Sequence, residues 1–69
     1  MQIIPSPGKV TYVASTGDWR LVVAEGHFEI QPQVGGWAYE SGLNLDSLAD
    51  LIVAAKADAI GRGINWSGN

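Results

Sequence analysis

The stretch from Leu45 to Ile60 constrains the fold more than any other part of the chain, because it carries the longest helical pattern of apolar residues. Five apolar side chains recur at the spacing that aligns one face of a helix, and Leu51 broadens that face. The five are Leu45, Leu48, Ile52, Ala55 and Ala59. We therefore predict a helix over residues 45–60 whose apolar face covers a core.

Both ends of this helix carry recognisable signals. The side chain of Asn44 or Asp46 can accept a hydrogen bond from a backbone N–H of the first turn. Gly61 can supply the left-handed residue that closes the last turn. Asp46 lies near the positive end of the helix dipole, and Lys56 and Arg62 lie near its negative end, so the charges also favour this helix.

Alternating apolar and polar residues predict three antiparallel strands before the helix. They span residues 9–15, 18–25 and 27–33, and residues 37–40 are a possible short fourth strand. The second strand is the most apolar, which favours a central position in the sheet. Residues 1–8 carry two prolines, so we expect this arm to be extended and to lead into the sheet without joining its middle.

These elements predict one α+β domain over residues 1–69. It is a small antiparallel meander of three to four strands, in ββ(β)α order, packed against one C-terminal helix and followed by an extended tail over residues 61–69. A chain of 69 residues buries only about 60% of its unfolded surface. It has no cysteine for a disulfide, so self-association is the remaining route to extra stability.

Composition argues against several classes of function. The net charge is -3 and only four residues are Lys or Arg, too few to neutralise the phosphates of a nucleic acid. No run approaches the ~20 apolar residues of a membrane span, and residues 1–5 lack the basic start and apolar core of a signal peptide. We therefore expect a soluble, cytoplasmic protein that binds neither membranes nor nucleic acids.

Groups that could carry chemistry are few. Glu25, His27 and Glu29 share one strand face if that strand begins early, and imidazole beside carboxylates can bind a metal or transfer protons. Metal binding needs a further convergent ligand, however, and a solvated strand face explains the same residues. Asp46 and Asp50 are explained by helix capping and the dipole. We predict no catalytic residue, no metal site and no cofactor.

The aromatic residues are more informative. Three tryptophans exceed what one helix on a small sheet comfortably buries, and aromatics left at a surface are frequent binding anchors. Each tryptophan alone is better explained as core, with Trp19 and Phe28 filling it and Trp37 and Trp66 sealing its ends. We nevertheless expect at least one aromatic residue to be exposed and functional.

Our preferred hypothesis is a non-enzymatic protein-protein interaction module, such as a phage-type inhibitor or accessory protein, that occupies a site on a larger protein complex. Small phage-encoded inhibitors share its size, acidity and lack of cysteine. The predicted partner-binding residues are Trp37, Tyr39, Glu40, Glu25, His27 and Glu29. The aromatics would bury area and the carboxylates would meet a basic patch.

We also predict a homodimer. Val53 and Ile60 lie seven residues apart on the outer side of the helix, which makes them its predicted seam. One alternative function is a structural subunit of a homo-oligomeric assembly, built through a strand edge or the slim helix. A less favoured one is a small metal-binding protein or enzyme centred on His27.

Overall fold

Each strand of the sheet neighbours the next strand along the chain, in the order β1-β2-β3-β4. The structure is a computed structural model that describes residues 1–33 and 44–66. The strands are β1 (Gln2–Ser6), β2 (Lys9–Val13), β3 (Trp19–Ala24) and β4 (His27–Pro32), and the helix α1 spans Leu45–Gly61. This antiparallel sheet packed against one C-terminal helix confirms the predicted α+β meander. The possible strand over residues 37–40 lies outside the described residues.

The arm before the first predicted strand is itself a strand. β1 pairs with β2 along its whole length and forms one edge of the sheet. Pro7 and Gly8 form the two-residue turn between Ser6 and Lys9, and Gly8 adopts a positive φ of 80°. Proline followed by glycine suits the two central positions of a type II turn. The sequence does not predict this hairpin, because a proline inside a strand has no N–H for the hydrogen-bond ladder.

The core lies between α1 and one face of the sheet. Its buried side chains alternate along β2 and β3 as predicted and meet three residues of the helix. They are Val10, Tyr12, Ala14, Trp19, Leu21, Val23, Leu51, Ala55 and Ala59. The prediction was wrong for Leu45, which is 75% exposed. At 100° per residue, Leu45 lies about 80° from the centre of the buried line through Leu51, Ala55 and Ala59.

Asn44 is the residue that caps the start of α1. Its Oδ1 accepts hydrogen bonds from the backbone N–H groups of Asp46 and Ser47, at 2.8 and 3.2 Å. At the other end the expectation for Gly61 was wrong, because the helix runs through it and the left-handed residue is Gly63, with φ 78°. The reversal lets the N–H of Ile64 donate to the carbonyl of Ala59 at 3.0 Å.

One polar cluster fixes the N-terminal end of α1 to the sheet. Asp18, only 5% exposed, accepts hydrogen bonds from the hydroxyls of Thr16 and Ser47, the second at 2.9 Å. These bonds, that of Thr16 first, hold the pKa of the Asp18 carboxyl below its ordinary value. The indole N–H of Trp19 donates to the carbonyl of Asn44 at 2.9 Å. The cluster therefore joins the β2–β3 loop to the first turn of the helix.

A second cluster fixes the C-terminal end. The buried Tyr12 donates its hydroxyl to Oδ2 of Asp58 at 2.8 Å, and Nε of Arg62 donates to the same oxygen at 2.6 Å. Burial, with the nearby Asp58 carboxylate, raises the pKa of Tyr12 to about 12. The Arg62 and Tyr12 hydrogen bonds lower the pKa of Asp58. Polar links at both ends thus set the position of α1 over the sheet.

Candidate functional site

The helix leaves the apolar side of β4 uncovered. In the described residues α1 packs on β2 and β3. The register places Phe28 opposite Val23 and Ile30 opposite Leu21, so both β4 residues share the core-facing side of the sheet. Phe28 is nonetheless 60% exposed and Ile30 is 39% exposed. An aromatic and an aliphatic side chain therefore face solvent beside the core.

A shallow hollow of about 300 Å³ follows these side chains. Five apolar residues line it, contributed by β3, β4, α1 and the segment after the helix. We call them the β4 strip: Leu21, Phe28, Ile30, Ile52 and Trp66. None of the five carries an ionisable or nucleophilic group, so the hollow is suited to apolar contact and not to acid–base or metal chemistry.

The outer backbone edge of β4 runs alongside this strip. Gln33 donates its N–H to the carbonyl of Asp18, on the β3 side, at 2.9 Å. Backbone hydrogen bonding alternates along an antiparallel strand. The N–H and C=O groups of the odd-numbered β4 residues therefore bond to β3, and those of the even-numbered residues point outward from the sheet edge. The N–H and C=O groups of Phe28 and Ile30 therefore point outward, and no strand among residues 1–33 and 44–66 pairs with them.

The opposite edge of the sheet is obstructed. Ser6 and Lys9 close the tight turn between β1 and β2, and their backbone groups therefore hydrogen-bond to each other. Because this bonding alternates along the strand, the backbone groups of Ile3 and Pro5 point outward, away from β2. Pro5, the fourth residue of β1, has no N–H, so Ile3 is the one outward-facing donor of that strand. In β4 the proline, Pro32, is the last residue of the strand. Of the two edges, β4 is the one able to receive another strand.

Three of the six predicted partner-binding residues, Glu25, His27 and Glu29, lie in the described part of the chain. Glu25 lies in the turn before β4, and its Oε2 accepts a hydrogen bond from the N–H of Asn65 at 2.9 Å. His27 and Glu29 are exposed on the other face of β4, away from α1. Trp37, Tyr39 and Glu40 lie outside the described residues, so the binding role of this set stays a prediction.

The predicted dimer seam is exposed on the helix. Val53 is 71% exposed and Ile60 is 57% exposed. Their role as a seam stays a prediction. The described part of the chain contains no group of three or more His, Asp or Glu side chains placed to hold a metal ion.

The prediction that Phe28 fills the core was wrong, since Phe28 is largely exposed. A helix with its side chains is about 10 Å wide and neighbouring strands lie about 4.8 Å apart, so one helix covers roughly two strands. In a sheet of four strands the two edge strands are left open. The alternation within β4 correctly predicts the face on which Phe28 lies. Its exposure follows only from comparing the number of strands with the width of a single helix.

No protein-family model matches this chain, and neither a curated protein nor a solved structure matches it. Across residues 1–33 and 44–66, α1 is too short and too polar to cross a lipid bilayer, and the same range holds no other helix.

Proposed function

We propose that this chain is a non-enzymatic protein-interaction module, an inhibitor or accessory protein that occupies a site on a larger protein. The observation that supports this proposal is that an apolar strip lies beside the β4 edge, which pairs with no strand in the part of the chain that the structure describes. An extended segment of another protein can use both together. Backbone hydrogen bonds along the edge supply affinity, and alternate side chains packed into the hollow supply specificity.

Phe28 is the proposed anchor for the partner. It is the most exposed member of the β4 strip. Leu45 and Val53 of α1 are more exposed, but neither lines the hollow. Aromatic side chains bury a large area at low entropic cost and are enriched among residues that dominate binding energy.

Charge also bears on the kind of partner. The chain has a net charge of -3, and Glu29 is exposed on the far face of the same strand. A basic side chain in the docking segment, placed opposite Glu29, gains a favourable cross-strand pair. Electrostatic complementarity of this kind raises the rate of encounter.

The test compares capture of partners from the source cells by the wild type, by Phe28→Ser and by a matched control, Val53→Ser. Both positions are exposed, so neither change is expected to unfold the chain. We expect Phe28→Ser to lose the captured protein at least 10-fold and Val53→Ser to retain it. With the purified partner, hydrogen exchange at the amides of Phe28 and Ile30 is expected to slow. Equal capture by all three chains would remove the β4 strip from the proposal.

A structural subunit of a homo-oligomeric assembly is the second candidate, favoured by the same open edge. Repeated addition of β4 to the β1 of the next copy would build a filament. Pro5 obstructs the β1 edge against such addition, which favours a small closed assembly. The particle mass from light scattering distinguishes the two candidate functions. A large ring or filament supports the structural subunit, and a small closed oligomer supports the interaction module.

A further inference from the structure

We infer that the β4 edge pairs with the β4 edge of a second copy of this chain, antiparallel, with Ile30 opposite Ile30. The inference rests on the second candidate function, the homo-oligomeric assembly, and names a second copy as the occupant of the β4 strip and edge. A copy paired in this way cannot hold another protein at the same edge, so the two occupants compete. The seam of the homodimer then lies at β4 and not at Val53 and Ile60.

Symmetry limits how two β4 strands can pair. A two-fold axis through an antiparallel pair sets one residue of β4 opposite its own copy, and the helices of both chains then lie on the same side of the joint sheet. Only Phe28, Ile30 and the carbonyl of Pro32 offer outward backbone groups within β4. The axis can therefore pass at Phe28, Glu29, Ile30 or Gln31.

Three of these four registers meet an obstacle. An axis at Glu29 sets that carboxylate directly opposite its own copy, which is destabilising. An axis at Phe28 needs the N–H of Gly26 opposite Ile30, but Gly26 already donates to the carbonyl of Asn65 at 3.3 Å. An axis at Gln31 keeps only the two bonds from Ile30 to Pro32, because proline has no N–H to return.

The axis at Ile30 gives a partner to the outward backbone groups of β4 except the carbonyl of Phe28, which faces a proline without an N–H. The two Ile30 residues exchange both backbone hydrogen bonds, and the N–H of each Phe28 donates to the carbonyl of Pro32 in the other copy. On the outer face Glu29 lies opposite Gln31, whose amide can donate to the carboxylate. On the helix side Phe28 packs against Pro32 of the second copy, so each β4 strip closes on the other.

The same pairing closes the assembly. Once β4 is used by both copies, the remaining edges are two β1 strands, each interrupted by Pro5. The product is one sheet of eight strands with no further open edge among the described residues, twice the four strands of a single chain. The seam is short, so we expect a dissociation constant on the order of 10 µM.

Sedimentation and light scattering over a concentration series test the dimer. We expect a monomer–dimer equilibrium in the wild type and at least a 10-fold weaker dimer in Ile30→Lys, which sets two ammonium groups at the axis. Val53→Lys is the matched control, with the same change at an exposed position on the helix, and is expected to dimerise as the wild type does. A wild-type chain that stays monomeric at about 0.5 mM overturns the inference. A dimer lost in Val53→Lys and kept in Ile30→Lys overturns it as well and places the seam on the helix.

The register has its own test. In a dimer mixed from labelled and unlabelled copies, we expect an intermolecular nuclear Overhauser effect between Hα of Glu29 and Hα of Gln31, whose Cα atoms are about 4.5 Å apart. Gln31→Glu is expected to weaken the dimer, because it sets two carboxylates opposite each other at two places. In the single chain the new carboxylate lies across from Arg20, so the fold is kept. A stronger dimer in Gln31→Glu supports instead the register in which Gln31 faces His27, and overturns ours.

The two proposals fail in different ways. If the chain is monomeric and still captures a protein through Phe28, the homodimer is wrong and the interaction module stands. If the chain forms the Ile30-centred dimer but captures nothing, the homodimer stands and the function on another protein is wrong.

Discussion

Tyr12 carries the most informative contact at the scale of single residues. Its ring is fully buried in the core, while its hydroxyl reaches the Asp58 carboxylate that Arg62 also contacts. The alternation of β2 puts Tyr12 on the same face as Val10 and Ala14, and this face packs in the core. The alternation could not predict the partner, because Asp58 is 46 residues away in the chain and only the packing angle of the helix brings it within reach. Periodicity predicts which face of a strand a residue occupies. A hydrogen bond between two elements also depends on how those elements are placed relative to each other.

We expect Tyr12→Phe to lower the free energy of unfolding by about 1–2 kcal/mol near neutral pH, because the hydrogen bond from a buried hydroxyl to a carboxylate is lost while the ring still fills its site. Urea denaturation followed by tryptophan fluorescence measures this. An unchanged midpoint would mean that the Tyr12–Asp58 contact adds nothing to stability.

The same residue predicts a dependence on alkaline pH. The pKa of Tyr12 is raised from 10 to about 12 in the folded chain, so between these values the unfolded chain releases a proton that the folded chain keeps. The resulting stability is fully present below pH 10 and is lost as the pH rises to about 12. Tyrosinate absorbance in a Tyr39→Phe background isolates Tyr12, since the chain has two tyrosines. A titration near pH 10 in the folded chain would contradict the buried hydrogen bond.

At the scale of elements, the two ends of α1 differ in how well local sequence signals predict them. Asn44 was a foreseeable N-cap, because its side chain is of the type that accepts bonds from the first turn. Two glycines near the C-terminus compete for the left-handed position, and sequence alone favoured Gly61. The left-handed residue is Gly63, because the backbone hydrogen bonds of the helix continue to Arg62. The chain then reaches the β3–β4 turn, where the N–H of Gly26 donates to the carbonyl of Asn65. The end of a helix depends on where the following segment must go.

This difference predicts opposite effects of alanine at the two glycines. Gly61 is helical and has open space around its Cα, so Gly61→Ala is expected to stabilise the chain by a few tenths to about 1 kcal/mol. Gly63 has a positive φ, so Gly63→Ala is expected to destabilise it by about 1 kcal/mol. Thermal unfolding of the pair measures both. A reversed order would show that the helix ends at Gly61.

At the scale of the whole molecule, the described residues form one helix and four strands, and this ratio determines which strands the helix covers. The predicted α+β class and the buried faces of β2 and β3 follow from local patterns and are present in the structure. The exposure of Phe28 and Ile30 in β4 does not follow from any local pattern. It depends on the number of strands, and residues 1–8 were expected to lead into the sheet but were not counted as one of its strands.

The division between covered and uncovered strands predicts unequal costs of truncation. Leu21→Ala is expected to cost about 2–5 kcal/mol, because Leu21 is buried between β3 and α1. That approaches the ~5 kcal/mol of total stability expected for so small a domain, so this variant should be largely unfolded. Phe28→Ala is expected to cost less than about 1 kcal/mol in the isolated chain, since Phe28 faces solvent. Circular dichroism in urea compares the two, and similar losses would show that Phe28 is part of the core.

The position of α1 after all four strands has a consequence for biosynthesis. Strand pairing here is between neighbours in the chain, so the hairpins can begin to form as the strands leave the ribosome. Their apolar face, with Tyr12, Leu21 and Val23, stays uncovered until residues 45–61 have also been released. A nascent chain paused before that point presents a bare hydrophobic sheet, which makes it a substrate for chaperones until translation of the helix is complete.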